Sequence, residues 1–550
     1  MAANMNSSLF SVSEEEAIQT RYIKQMIIKG FKKFVELTID FNPQMNILVG
    51  ENEAGKSTII DAIRLVLSQP YRNTDKSFLF DLFNQEQVRK FEANPTVENL
   101  PFIHIEILLA LVDKGKDSQL FWGETHCSEF GKGASYGIRF DCSFDKEEGA
   151  GLDDEISAGH IPVEYYRLEW KTFAERPYYL VHPPLRFLAV DTAVNESSSP
   201  FSRYARDLFL SRVIEKKRLR HRHDFRTRMK ELVENLDLPD LSETQKFGVN
   251  DKRILLENVL SILDGEIALE NKGSGTESIV KMELAFSKKE DADVITIEEP
   301  ETHLSYSNLR KLLKEIQGRN TKSQMIIATH SNMIASRLDV RNVQWISEDK
   351  PIVKSLKDIN EETAEFFAKV DHSNLLDLLL AEKVILVEGP TEFLLIPKFY
   401  KDIYNGTGRT VESDNITVLS CNGISFSHYL RIAETRQKRV AVLTDNDGIA
   451  ERIKLAKEYN LSHCFTHVFM PDSIEHWTWE KCLFDINEEY FKTTLKIRAG
   501  AKYLYHGKDV GAHLGYMLNN KANEALRILQ QNPTLTVPEY VKEAIQWLDE

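Results

Sequence analysis

Two groups of residues in this chain have the types and spacing needed for phosphate chemistry. The first is Gly50-Glu-Asn-Glu-Ala-Gly55-Lys56-Ser57, a complete G-x-x-x-x-G-K-S. Its glycines let backbone N–H groups turn inward around phosphates, Lys56 can neutralise β/γ oxygens, and the Ser57 hydroxyl can ligate Mg²⁺. A following helix adds the partial positive charge of its N-terminus. Gly50, Asn52, Gly55, Lys56, Ser57 and Thr58 are therefore the candidate nucleotide contacts. Further along, Val294-Ile-Thr-Ile297 ends in Glu298-Glu299-Pro300. The first carboxylate suits Mg²⁺, and the second suits orienting or deprotonating an attacking water. The segment Asn271-Lys-Gly273-Ser274-Gly275-Thr-Glu277 reads as a backbone-exposing loop before a helix Ser278–Phe286, able to present N–H groups to a γ-phosphate; Gly-Ser-Gly is also a common plain turn. The apolar run Met325–Ala328 leads into Thr329-His330-Ser331, where His330 can sense a γ-phosphate.

The second group is carboxylates. Val384–Val387 runs into Glu388-Gly389-Pro390-Thr391-Glu392, and Val440–Leu443 runs into Thr444-Asp445-Asn446-Asp447-Gly448. Neighbouring parallel strands would bring these C-terminal ends together, where α/β sheets place their sites. Clustered carboxylates repel unless cations sit between them, and hard oxygen ligands suit Mg²⁺ or Mn²⁺. Two such ions can activate water and stabilise the leaving oxygen in phosphodiester cleavage. A lone Asp-x-Asp-Gly is more often a turn; the pairing with Glu-Gly after another apolar run makes the pattern specific.

The elements that must position these groups are legible in outline. Asn46–Val49, the glycine loop and Lys56–Leu67 read as strand, loop, helix. Residues 101–190 read as β-rich, 202–262 as helical and polar, and 360–380 as a helical connector. A second α/β unit starts at Val384–Val387, with strands near Ile416–Ser420, Arg439–Leu443 and His467–Met470. The length of 550 residues is enough for about three to five domain-sized units. With 69 basic against 84 acidic residues, the net charge of −15 excludes a uniformly basic nucleic-acid coat but not a local patch. The five cysteines form no C-x-x-C, which argues against a disulfide framework and a structural zinc site. No stretch approaches the about 20 apolar residues of a membrane helix, and the polar N-terminus has no signal-peptide core, so a cytoplasmic location with no membrane partner is expected.

The first group resembles the ABC-type ATPase heads of DNA-repair and chromosome-maintenance ATPases, in the order Walker A, signature loop, Walker B, D-loop, switch histidine. The resemblance implies matching roles for Lys56 and Ser57, Ser274 and Gly275, Glu298 and Glu299, and His330. It also implies that two heads sandwich ATP. Two departures stand out: Glu277 replaces the common Gln, and Glu301-Thr302-His303-Leu304-Ser305 lacks the usual His-Pro ending. The second group looks like a Toprim domain, as does Ser420-Cys-Asn422-Gly423. Together, a P-loop head followed by a Toprim domain of the EGPTE form resembles the OLD (overcoming lysogenisation defect) family of ATP-dependent nucleases. That resemblance maps metal carboxylates to Glu388, Glu392, Asp445 and Asp447. It adds Glu480, within Trp477-Thr-Trp-Glu480-Lys-Cys-Leu, and places the family's late catalytic Lys at Lys508, in Gly507-Lys508-Asp509. The implied organisation is an ABC ATPase domain at 1–195 and 263–370, a helical dimerisation insert at 196–262, and a Toprim (Rossmann-like) nuclease domain at 371–550.

The densest positive run, Lys216–Lys230, reads either as a phosphate-backbone contact or as a solvated face of the dimerisation insert. The resulting expectation is an ATP-binding and hydrolysing, Mg²⁺- or Mn²⁺-dependent DNA endonuclease in anti-phage defence, with ATP gating cleavage. DNA and a homo-oligomer are the expected partners, together with a defence-system protein or RNA–DNA. The rivals are an ATP-switched DNA-binding clamp or sensor with an inactive Toprim site, and a topoisomerase subunit, for which no DNA-gate module is recognisable.

Overall fold

A computed structural model describes residues 21–70, 75–111, 116–125, 133–192, 203–236, 255–286, 292–318, 323–347, 353–370, 374–421, 423, 426–497, 503–506 and 508–550. The chain forms two units. One comprises Met1–His330 and Asn342–Ser355, the other Ser331–Arg341 and Leu356–Glu550. The boundaries expected after 195 and after 370 fall in or beside stretches outside the described residues, as do Asn422 and Gly507.

The first unit has fourteen strands among its described residues: β1 (Arg21–Phe31), β2 (Phe34–Asp40), β3 (Met45–Val49), β4 (Ile103–Leu111), β5 (Trp122–Glu124), β6 (Ala134–Phe144), β7 (Tyr166–Thr172), β8 (Phe187–Asp191), β9 (Leu263–Asp264), β10 (Ile267–Ala268), β11 (Val294–Glu298), β12 (Gln324–Ala328), β13 (Val343–Ile346) and β14 (Val353–Ser355). An antiparallel sheet runs β2-β1-β4-β6-β5, with β7 also on β6. A second sheet runs β14-β13-β3-β12-β11-β8 and is parallel except for β14. Its central strands are short apolar runs because helices and a second sheet cover both faces. Helix Lys56–Ser68 supplies much of that cover. Ile59, Ile63 and Val66 share one core with Ile28, Ile105 and Phe140 of the antiparallel sheet and with Leu48 and Ile326 of the parallel one. Buried Gln324 ties the two sheets: its side-chain oxygen accepts from the Ile23 N–H at 2.9 Å, and its amide donates to the carbonyls of Ile23 and Asn42 at 2.9 Å each.

The expected helical stretch contains Arg203–Arg212 and the 20-residue helix Glu215–Glu234. The latter buries none of its described side chains.

The second unit is built on β15 (Lys383–Val387), β16 (Ile416–Ser420), β17 (Arg439–Leu443) and β18 (Thr466–Phe469), in the order β16-β15-β17-β18, all parallel. Val384–Val387 and Val440–Leu443 are fully buried, as central parallel strands must be. A small hairpin, β19 (Leu504–Tyr505) with β20 (Lys508–Asp509), and helices up to Glu539–Asp549 complete it. Among the described residues no helix is long and apolar enough to cross a membrane.

Candidate functional site

In the first unit β3 ends at Val49 and the glycine loop follows. A Cβ on Gly50 would lie 2.8 Å from the Ile346 carbonyl. Gly55 caps the next helix at φ +104°, and a Cβ there would meet the Phe34 ring at 2.3 Å. Only glycine satisfies both the left-handed backbone and the close approach. Lys56 is buried, and its ammonium donates to the carbonyls of Gly50 and Glu51, both at 2.9 Å. Burial pulls its pKa down to about 8, against the opposing pull of Glu299 and Glu301. Asn52 is exposed on the loop and Thr58 is buried.

The exposed Ser57 hydroxyl hydrogen-bonds to the Glu298 carboxylate at the end of β11. Burial, reinforced by Asp191, pushes Glu298 up to about 7, while the Ser57 bond opposes the rise. Asp191 stands opposite Glu298 in the β8–β11 register. The chain then turns sharply: Glu299 has φ +45°, its N–H donates to the Ala328 carbonyl at 2.9 Å, and its carboxylate accepts from the Thr302 hydroxyl at 3.1 Å. His330 follows β12, with Nε2 4.0 Å from Glu299 Oε1 and its backbone N–H donating to Glu301 Oε1 at 2.7 Å. Burial, and then Lys56, hold its pKa below the usual histidine value. Lys56, Ser57, Glu298, Glu299 and His330 thus line one locus at the C-terminal ends of β3, β11 and β12.

Ser274 and Gly275 differ from expectation. They form the first turn of helix Ser274–Ala285, capped at Gly273, instead of a loop before residue 278. Within that first turn only glycine fits at 275, where a Cβ would meet the His303 carbonyl at 2.7 Å. The departure at Glu277 is internal: buried Glu277 pairs with buried Lys281 at 2.7 Å, and Lys281 also donates to the Asp191 carbonyl at 3.3 Å. Two contributors lie outside the motifs read in the sequence, Asp191 and Thr192, and Glu301 enters there only as part of the D-loop segment. The Thr192 hydroxyl donates to the Glu298 and Glu299 carbonyls at 2.7 and 2.6 Å and so fixes the turn between the two acids. Asp191 carried a usable signal, since Phe187–Asp191 is another apolar run ending in a carboxylate. Inward-turned glycine backbone, a buried lysine and a Ser–Glu pair suit a nucleotide triphosphate with its divalent cation.

In the second unit β15 and β17 are neighbours, so Glu388 and Asp445 leave the sheet side by side. The Thr444 hydroxyl bonds Glu388 Oε2 at 2.8 Å, and the Gly423 N–H donates to the Glu388 carbonyl at 2.9 Å. Gly389 and Pro390 start helix Pro390–Ile403, which places Glu392, 6% exposed, in its first turn. Helix Trp479–Ile486 starts at the Thr478 cap and places Glu480, 2% exposed, in its first turn. Both carboxylates gain from the positive end of a helix. Asp445 Oδ1 accepts from the Trp479 N–H at 2.7 Å.

Burial pushes Glu392 up to about 7, with Glu480 and Glu388 adding to the rise. Burial pushes Asp445 up to about 8, with Glu392, Glu480 and Glu388 contributing. These four acids therefore form one electrostatic cluster. Its cation is a residue the sequence did not flag: Lys521 donates to Glu480 Oε2 at 2.8 Å. Burial opposes the charge on Lys521, but Glu480 holds its pKa above the usual value. Nothing around Lys521 in the sequence marks it, because its partner lies 41 residues away.

Asp447 is not brought into this cluster. It takes φ +54°, is exposed, and pairs with Arg452. The middle residue, Asn446, is fully buried and donates to the carbonyls of Pro471 and Ser473, both at 2.9 Å. Lys508 pairs through its backbone with Tyr505 in the β19–β20 hairpin, and its side chain lies outside the described residues. Among the described residues no three His, Cys, Asp or Glu side chains are already drawn to metal-holding distance. The bonds from Thr444, Trp479 and Lys521 each occupy an oxygen of the cluster. An all-oxygen donor set in which burial and the neighbouring carboxylates push Glu392 and Asp445 upward fits a hard divalent cation, which would relieve that repulsion.

Comparisons with known proteins agree with this geometry. The AAA domain family matches residues 25–371, and the family described as "Overcoming lysogenization defect protein-like, TOPRIM domain" matches residues 379–447. Endonuclease GajA of Bacillus cereus is 22% identical over 474 residues, covering 79% of this chain and 78% of that protein. Structural maintenance of chromosomes protein 3 of Saccharomyces cerevisiae is 44% identical over 66 residues, 12% of this chain and 5% of that much longer protein. Among solved structures, an Smc head bound to the C-winged helix domain of ScpA has TM-score 0.31 and 16% identity, over 61% of this chain and 99% of that one. RecF with ATP has TM-score 0.34 and 11% identity, over 61% and 99%. The chain belongs to the AAA-domain family and joins that ATPase domain to an OLD-like TOPRIM domain, the architecture of the OLD family.

Proposed function

We propose that this protein binds and hydrolyses ATP and cuts DNA in a divalent-metal-dependent reaction, and that nucleotide state gates the cut. The observation that carries the reading is the buried cluster of Glu388, Glu392, Asp445 and Glu480 at the ends of β15 and β17. Support also comes from the OLD-like TOPRIM match and from the likeness to a protein named as an endonuclease.

In the ATPase domain, Gly50, Asn52, Gly55 and Thr58 shape the phosphate cradle. Lys56 binds β/γ oxygens, and Ser57 with Glu298 would hold Mg²⁺. Glu299 orients or deprotonates the attacking water, held for that task by Thr302, and His330 reads the γ-phosphate beside it. Ser274 and Gly275 complete the site of a second copy, so the active form is a homo-oligomer. In the TOPRIM domain, Glu388, Glu392, Asp445 and Glu480 would hold Mg²⁺ or Mn²⁺, and Asp447 joins them on leaving Arg452. Such ions, when bound, supply an activated water and stabilise the leaving oxygen. Lys521 holds Glu480 in place through their ion pair, and Lys508 stabilises charge on the scissile phosphate. Phosphodiester hydrolysis needs no energy input, so ATP controls access or assembly. A cytoplasmic role in anti-phage defence, with a DNA substrate and a defence-system partner, and the organisation 1–195 with 263–370, 196–262 and 371–550, belong to the same reading.

The second reading, a nucleotide-switched DNA clamp with an inactive TOPRIM centre, is favoured by one observation, the outward Asp447–Arg452 pair. Cleavage of supercoiled plasmid with Mg²⁺ or Mn²⁺, with and without ATP, separates the two. Wild type cuts, Asp445→Ala does not while still binding ATP, and Lys56→Ala loses ATP binding and its control of cutting. Undiminished cutting by Asp445→Ala would remove the site assignment.

A further inference from the structure

The helix Glu215–Glu234 has no place in the two centres described above. It carries eight Lys or Arg against four Asp or Glu, in a chain whose net charge is −15. Its half-buried side is Arg218, Arg222, Phe225, Met229 and Val233. Arg222 on that side pairs with buried Glu257. At 100° per residue, Lys216, Arg220, His223, Arg226 and Lys230 fall within about 120° of one another on the other side, and all five are exposed. They form a row about 21 Å long at 1.5 Å per residue. The acids Asp224 and Glu231 lie to one side of this row, not within it.

Solvated helix faces ordinarily set opposite charges four residues apart, because like charges at that spacing destabilise a helix. Here Lys216–Arg220 and Arg226–Lys230 are like-charged at that spacing, while Arg220–Asp224 and Lys230–Glu234 are opposite, so the row carries an excess of positive charge along its length. A polyanion lying along the row would turn this repulsion into attraction. A second copy would do so only by setting an acidic face of its own against the row, and the test below separates that case. The row is as long as about six successive phosphates of one strand at 3.4 Å rise.

We propose that the exposed row Lys216–Arg220–His223–Arg226–Lys230 is a docking surface for the phosphate backbone of duplex DNA. It positions the duplex without reading bases. The inference rests on the nuclease reading for its substrate class and adds the surface that holds the substrate.

The test is fluorescence anisotropy of a 30-bp duplex in EDTA across a salt series, with the full chain. The variant carries Lys216→Gln, Arg220→Gln, Arg226→Gln and Lys230→Gln, which keep good helix formers in place. Its dependence of log K on log salt should be shallower than wild type by about 3 to 4, since each lost phosphate contact removes about 0.9, and its affinity at 0.1 M salt should fall at least about tenfold. The pair Arg220→Lys with Arg226→Lys keeps the charges and should bind like wild type. The pair Lys216→Gln with Lys230→Gln should show about half the change in slope and serves if the fourfold variant fails to fold. Wild-type affinity and slope in the Gln variants, with wild type cutting plasmid normally, overturn this proposal and leave the nuclease reading standing. A wild type that neither binds nor cuts duplex overturns both. Loss of self-association by sedimentation, with DNA affinity unchanged, assigns the row to a copy interface and also overturns it.

Discussion

Replacing Asp445 by Asn should make the metal-free protein more stable while removing its cutting. Asp445 is half-buried beside Glu388, Glu392 and Glu480, and its pKa rises from 3.8 to about 8. A carboxyl with a raised folded pKa contributes stability fully present below the unfolded value and lost as pH climbs through the folded value. At pH 7 the unfolded chain is ionised at this position while the folded chain keeps the proton. The gap from 3.8 to 7, at about 1.4 kcal/mol per pH unit, comes to about 4 kcal/mol of lost stability. Asparagine has no charge to lose and retains an oxygen for the Trp479 N–H. Its amide N–H₂, if left without a partner, costs back about 1–3 kcal/mol. The net gain is about 2 kcal/mol, a rise in Tm of about 4–8 °C for a unit of this size. The assay is thermal unfolding in EDTA from pH 4 to 9, wild type beside Asp445→Asn. The advantage of the variant should be absent near pH 4, grow with pH, and level off above pH 8. Added Mg²⁺ should stabilise wild type and leave the variant unmoved. A variant no more stable than wild type at pH 8, or one that Mg²⁺ stabilises equally, would refute the account of a repelling carboxylate cluster.

Other consequences are simpler. Lys521→Met leaves Glu480 buried without its cation, so metal-free stability should drop by about 3–5 kcal/mol, with partial recovery in Mg²⁺; an unchanged melt in EDTA speaks against the pair's importance. Asn446→Ala strips the Pro471 and Ser473 carbonyls of their donor, and a loss of about 2–3 kcal/mol by denaturant melt is expected, with slower cutting although no metal ligand changes. Gly55→Ala places a Cβ 2.3 Å from the Phe34 ring at φ +104°, so fluorescent-nucleotide titration should show at least about tenfold weaker ATP binding, and wild-type affinity would show that the loop relaxes freely.

What the sequence revealed, and what it hid, follows from where the information lies. The glycine loop, Glu298–Glu299 and Glu388–Glu392 are local patterns: each apolar strand and the acid or loop after it lie within ten residues, so spacing alone exposes them. The parallel pairing of β15 with β17 then follows from two fully apolar runs that both need burial on two faces. Lys521 was invisible because its role depends on a partner 41 positions away and on no local motif. The geometry of Asp445-Asn-Asp447 was hidden for a local reason. Alternation implies that both Asp side chains share a face, but the strand stops at Leu443 and a left-handed residue at 447 turns the second outward, while Asn446 takes the structural bonds. Gly273–Gly275 read as a loop because glycine disfavours helices, yet the helix includes Gly275, whose identity reflects the approach of the His303 carbonyl and not a turn.

The most direct test measures metal and cutting in one sample. Mn²⁺ binding by electron paramagnetic resonance, followed by nicking of supercoiled plasmid, would be compared between wild type and a Glu392→Gln, Asp445→Asn variant, both without nucleotide and with ATP. The account predicts that wild type binds Mn²⁺ in the TOPRIM unit and cuts under at least one nucleotide condition. The variant should keep its ATP-dependent Mn²⁺ alone and cut under none. A variant that binds as much Mn²⁺ as wild type and nicks at the same rate would contradict it.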